Sequence, residues 1–136
     1  MAKTKAFQIA ELIRHLQYDA DNDVITTDKS TRDKNKKRGN ATKTSTAEFA
    51  LDTFAKTDYR AARYIVAMSD GSKFHSTEVV LVHDGSSVTM TQYGTLKSHS
   101  LATFDSDISG SDVRLLVTPA SNSSTVIKFD RTVVEA

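Results

Sequence analysis

Histidine, serine and aspartate supply most of the reactive side chains in this sequence, and their spacing decides what chemistry they could share. His15, His75, His83 and His99 are scattered, with no two at the His-x-x-x-His interval that lets two rings meet one metal, and no cysteine is present to complete a zinc site. The run His83-Asp84-Gly85-Ser86-Ser87 brings together the residue types of a serine triad. A nucleophilic serine, however, needs a strand-to-helix elbow to present it, and no helical pattern follows Ser86 or Ser87. Asp19, Asp21 and Asp23 match the first three ligand positions of a calcium loop, but Val24 stands where the sharp turn needs glycine and Ser30 where a bidentate glutamate should close the shell. A solvated acidic turn is the better reading. No catalytic residue, metal site or cofactor is expected.

A cationic cluster, Lys34, Lys36, Lys37 and Arg38, could contact phosphates with release of counterions. It carries no aromatic residue for base stacking, and the rest of the chain does not extend the patch. A charged loop that is solvated or bound by a protein partner is favoured over a nucleic-acid site.

The elements that would position these residues fall into two parts. Phe7, Ile9, Leu12, Ile13 and Leu16 recur at helical spacing within residues 6–17, which predicts a short amphipathic helix, with a strand as the competing reading. Such a stripe is too short to be stable alone in water, so these five residues are the expected partner-binding positions. Val24 to Thr27 reads as a short β-branched strand. From Asp28 to Thr46 the only apolar side chain is Ala41, so residues 28–46 are expected to form a basic linker without structure of its own. Residues 1–46 thus form an N-terminal attachment arm, extended or in part helical, and residues 47–136 the folded domain.

Beyond Ala47 about seven short strands alternate with turn signals. Tyr64, Val66 and Met68 keep period two; Asp70-Gly71, Asp84-Gly85 and Ser109-Gly110 mark tight turns; Pro119 ends a strand. No helix-length segment separates the strands, so the crossovers of a parallel sheet are missing. The expectation is an all-β antiparallel sandwich, jelly-roll or Ig-like.

Composition narrows the function further. The 136 residues suit one core; they are 38% hydrophobic and 26% charged, and 18 Lys and Arg against 17 Asp and Glu leave a net charge of +1. That near-neutrality excludes a global attraction to nucleic acid or to anionic membranes. No apolar run approaches the length of a membrane span, and the N-terminus lacks the h-region of a secretory signal, so synthesis in the cytoplasm is expected.

The stretch from about Ala50 to Val134 carries Asp52-Thr53-Phe54-Ala55, Tyr59-Arg60-Ala61-Ala62-Arg63-Tyr64, Val79-Val80-Leu81-Val82-His83-Asp84-Gly85 and Val113-Arg114-Leu115-Leu116-Val117-Thr118-Pro119. In this order and spacing they resemble a β-rich domain of virion structural proteins from tailed phages of cyanobacteria. Ala61-Ala62-Arg63 departs from the serine and lysine more usual there, a change of surface detail. The resemblance implies a non-enzymatic virion protein, assembled in the host cytoplasm, whose partners are other virion proteins, capsid or tail subunits, and itself a homo-oligomer such as a trimer. Within the particle a capsid decoration or cement protein is the first expectation. A tail, neck, baseplate or short-fibre component is the second, and a nucleic-acid-binding accessory protein using residues 29–43 belongs to another class.

Overall fold

The computed structural model describes residues 35–136 throughout, and of the first 34 only the backbone of residues 17–19 and 24–26. Those two segments, β1 (Gln17–Asp19) and β2 (Val24–Thr26), pair antiparallel as a small ribbon in a unit of their own, Met1–Lys34. The strand expected from Val24 is present. The apolar stripe Phe7, Ile9, Leu12, Ile13 and Leu16 lies outside the described residues, as does Lys34.

The second unit, Asn35–Ala136, contains β3 (Lys36–Lys43), β4 (Phe49–Ala55), β5 (Tyr59–Asp70), β6 (Lys73–His83), β7 (Val88–Lys97), β8 (Ala102–Ser109), β9 (Asp112–Pro119) and β10 (Thr125–Glu135). They form a five-stranded sheet in the order β3-β10-β5-β6-β7 and a three-stranded sheet in the order β4-β9-β8, with every pairing antiparallel. Strands β5, β6 and β7 follow one another through hairpins. The chain then leaves for the other sheet and returns as β10 to lie beside β5, which gives the spatial order of a Greek key.

Period-two alternation builds the core. Along β5, Ala62, Tyr64, Val66 and Met68 are buried while Arg63, Ile65, Ala67 and Ser69 are exposed. With Val79 and Leu81 of β6 and Ile127, Phe129 and Val133 of β10, they meet Phe54, Leu101, Ala102, Val113, Leu115 and Val117 in one hydrophobic cluster. Each fully buried apolar side chain contributes about 1.5–3 kcal/mol before entropy is subtracted. Two of the turns read from the sequence are two-residue hairpin loops that open on glycine in the left-handed region, Gly71 at φ 58° and Gly110 at φ 61°.

One expectation is corrected. Residues 28–46 do not form a continuous structureless linker, because Lys36–Lys43 is strand β3, paired residue by residue with Thr125–Thr132 of β10, and the division between units falls after Lys34. No residue of β3 is buried. An edge strand satisfies its inner backbone groups through the ladder alone, so it can dispense with the apolar side chains that betray a strand in sequence, and lysine is a common residue there. Gly39 shows how closely β3 fits: its register partner is Phe129, and a Cβ at Gly39 would stand 2.4 Å from two atoms of that ring.

Candidate functional site

Three side chains from one cross-strand row of the five-stranded sheet converge on a carboxylate of the other sheet. Arg131 is the register partner of both Lys37 and Tyr64. Lys37 Nζ lies 2.6 Å from Asp52 Oδ1, while the Tyr64 hydroxyl and Arg131 Nη1 each donate to Oδ2 at 2.9 Å. Asp52 reaches this position through a β-bulge: between Ala50 and Asp52 the register with β9 shifts by one residue, so Asp52 faces inward with Phe54 where unbroken alternation from Phe49 and Leu51 would turn it out. The Asp52 and Arg131 side chains are 0% and 8% exposed. Burial pushes the Tyr64 phenol far above its ordinary value, and the Asp52 charge adds to the effect. Both carboxylate oxygens accept from charged or phenolic donors, so this cluster fastens the two sheets together.

The His83 loop is likewise committed to structure. The Gly85 N–H donates to His83 Nδ1 at 3.0 Å, so Nε2 carries the proton and donates to the Tyr59 carbonyl at 2.7 Å. Ser86 and Ser87 turn toward Asp84 instead of His83: Asp84 Oδ1 accepts from the backbone N–H groups of Ser86 at 2.9 Å and Ser87 at 2.8 Å, and from the Ser86 hydroxyl at 3.1 Å. These hydrogen bonds, the backbone ones foremost, hold the Asp84 carboxyl far below the usual range. The residue types of a triad are adjacent, but their hydrogen bonds make a capped turn. His75 is buried too, with Nδ1 accepting from the Leu101 N–H at 3.1 Å; burial first, and the Lys97 charge second, lower its pKa.

A surface able to engage a partner lies on the outer face of the five-stranded sheet. The large hydrophobic side chains exposed among the described residues are Ile65, Phe74, Val82, Tyr93, Leu96 and Val134. Register places all six on this face: Ile65 opposite Asp130 and Glu78, Val134 and Val82 on either side of Ala61, Tyr93 opposite Glu78, Leu96 opposite Ser76 and Phe74 opposite Ser69. Among the described residues two ion pairs lie between them. Arg63 Nη2 donates to both oxygens of Glu78 at 3.1 Å, Tyr93 is the register partner of Glu78 on β7, and Arg38 stands 3.6 Å from Asp130. The Tyr93 and Arg63 contacts together lower the Glu78 pKa. A shallow groove crosses β3, β10 and β5 beside Arg38, Asn40, Ile65, Ala67, Lys128 and Asp130. A half-apolar sheet face of this kind is suited to packing against protein.

The cationic cluster expected from sequence is divided by strand geometry. Lys37 turns to Asp52, whereas Arg38, one residue on, faces the other way and pairs with Asp130. Sequence reasoning missed Asp52, Arg131 and the apolar outer face. A signal for the first existed in the interval Phe49, Leu51, Phe54, where the step from two to three residues marks the bulge.

Neither the family models nor the curated proteins compared with this sequence include a match. Among solved structures the chain is similar to the tailspike protein of Acinetobacter phage vB_ApiP_P1, with TM-score 0.50 and 16% identity over 75% of this chain and 22% of that one. It is also similar, at a TM-score of 0.40 and 10% identity over 75% of this chain and 26% of that one, to the tailspike of Acinetobacter baumannii phage AM24. A third similarity, at 0.33 and 12% over 98% and 24%, is to tailspike gp49 of Acinetobacter baumannii bacteriophage Fri1, described as a capsular polysaccharide depolymerase. This chain therefore spans about a quarter or less of the length of each tailspike, and with the first of them it shares a fold.

Proposed function

We propose that this chain is a tail component of a tailed-phage particle, a tailspike-like part that works by packing against other virion subunits. The observation that carries the reading is the fold shared with the Acinetobacter phage tailspike over three-quarters of the chain. We also read residues 50–134 as related to virion proteins of cyanobacterial phages, a reading of the same class. We read the two sheets as a β-sandwich in Greek-key order, and the chain as one member of a homo-oligomer, with a trimer the first form to test. The outer face of the five-stranded sheet supports a packing role, because its six large hydrophobics favour another protein surface over solvent.

This reading displaces capsid decoration as the first choice. The decoration reading rested on a small chain with a basic arm and without the long repeats of a fibre, and three of the four residues of the cationic cluster, Lys36, Lys37 and Arg38, belong to β3. The nucleic-acid reading loses ground for the same reason, since Asp52 and Asp130 engage two of those cations. The test is to separate purified tails from capsids and quantify the protein in each by mass spectrometry. Enrichment with tails is expected, and enrichment with capsids overturns the reading.

A further inference from the structure

Strand β3 is attached to the rest of its unit in an unusual way. Every residue from Lys36 to Lys43 pairs with β10, yet none is buried, and the connection to β4, residues 44–48, is exposed along its whole length. What β3 contributes besides its ladder is specific. Lys37 supplies one of the two cations on Asp52, Gly39 leaves the space that the Phe129 ring occupies, and Lys43 Nζ lies 4.5 Å from the centre of the Phe49 ring. With β3 lifted away, the open edge of β10 would present a half-neutralised buried carboxylate beside Arg131 and an uncovered phenylalanine. The strand that fits this slot needs a residue without a Cβ opposite Phe129 and gains modestly from a cation two residues earlier, facing Asp52.

We propose that the β10 edge is a docking slot for β3 of a second copy of this chain, so that neighbouring copies exchange this strand through the 44–48 connection. The slot's chemistry points to this chain's own strand as occupant, because the glycine it requires and the lysine it favours are present at Lys37-Arg38-Gly39. The exchanged and the closed forms contain the same ladder, the same Lys37–Asp52 pair and the same Gly39–Phe129 contact. Among the described residues they differ at the connection, where no side chain is buried. Strand exchange of this kind is a low-cost route to oligomers, and high local concentration in an assembly favours it. The inference draws on the assembly reading for its use in the particle, while the exchange itself is tested on the purified chain alone.

The absence of native cysteine gives a clean background. Asn40 and Lys128 are exposed register partners, at a separation a cross-strand disulfide can bridge. One full-length chain carries Asn40→Cys, a second of different mass carries Lys128→Cys, and the two are mixed at high concentration, incubated and oxidised. Exchange yields the mixed disulfide in excess over a control pairing Asn40→Cys with Asp130→Cys, two residues out of register. Adding Gly39→Val to the Asn40→Cys chain reduces the mixed product at least several-fold. A chain carrying both Asn40→Cys and Lys128→Cys, oxidised at high dilution, closes on itself and establishes that β3 occupies the slot. If that chain closes while the mixture gives no more product than the out-of-register control, exchange is overturned. Mixed product that is indifferent to Gly39→Val overturns the slot's selectivity. Tail localisation is measured separately, so failure here leaves that reading standing.

Discussion

Removing the Asp52 carboxylate should be among the most damaging single changes available to the second unit. Asp52→Ala leaves Arg131, whose side chain is 8% exposed, as a buried cation without its carboxylate, and it strips the Tyr64 hydroxyl of its acceptor. Breaking a buried ion pair from one side costs about 3–5 kcal/mol. Total stabilities of single domains run at about 5–15 kcal/mol, so about a fifth or more of the margin goes with one side chain. Lys37→Met should cost far less, about 1 kcal/mol or under, because the lysine side chain is 48% exposed and its charge can return to water. The double replacement Asp52→Leu with Arg131→Met removes both charges together and should recover most of the loss, since apolar substitutes for a buried pair are often neutral. Urea denaturation followed by circular dichroism reads all four proteins; at slopes of about 1–3 kcal/mol per molar, the Asp52→Ala midpoint should fall by at least 1 M. The reasoning is refuted if Asp52→Ala lies within 1 kcal/mol of the parent, or if the double variant is no more stable than Asp52→Ala.

Other substitutions probe other links. Gly39→Ala should destabilise by about 1–3 kcal/mol, because its Cβ meets the Phe129 ring at 2.4 Å and the ring must leave its place in the core; a denaturant melt measures it. His75 is folded as the neutral ring with a lowered pKa, so its contribution is complete above about pH 6.5 and is lost as pH falls toward the lowered value, at no more than about 1.4 kcal/mol per pH unit. His75→Asn, which can keep an acceptor for the Leu101 N–H, should flatten that part of the profile in melts at pH 7.5, 6.5 and 5.5. Arg63→Ala should leave the denaturant midpoint nearly unchanged despite its two hydrogen bonds to Glu78, because the arginine side chain is 56% exposed. Ile65→Lys with Leu96→Lys should leave the melt within about 0.5 kcal/mol per site while reducing incorporation into particles, scored by mass spectrometry of purified virions.

Much of the second unit was legible because its signals are local. Glycines at Asp70-Gly71 and Ser109-Gly110 marked hairpins, and Tyr64, Val66 and Met68 marked a core face, since turn chemistry and period-two burial each act over a few residues. Strand β3 was hidden for a physical reason. Its pairing rests on backbone groups common to every residue, and its solvent-facing edge tolerates the lysines and arginine that made residues 28–46 look like a linker. The Asp52 cluster was hidden because its members lie 12, 15 and 79 residues away in sequence, and a carboxylate between Leu51 and Thr53 reads as a surface residue until the bulge turns it inward. The outer face escaped notice for the opposite reason: Ile65, Val82 and Leu96 belong to different strands, and only register gathers them on one side.

The place of the protein in the particle is the central claim, and immunogold labelling of intact virions addresses it directly. Antibodies raised against residues 35–136, the second unit, are applied to intact particles and to particles stripped of their tails. Gold at the tail, lost when the tail is removed, is the expected result. Gold distributed over the head surface and retained on tailless capsids contradicts it.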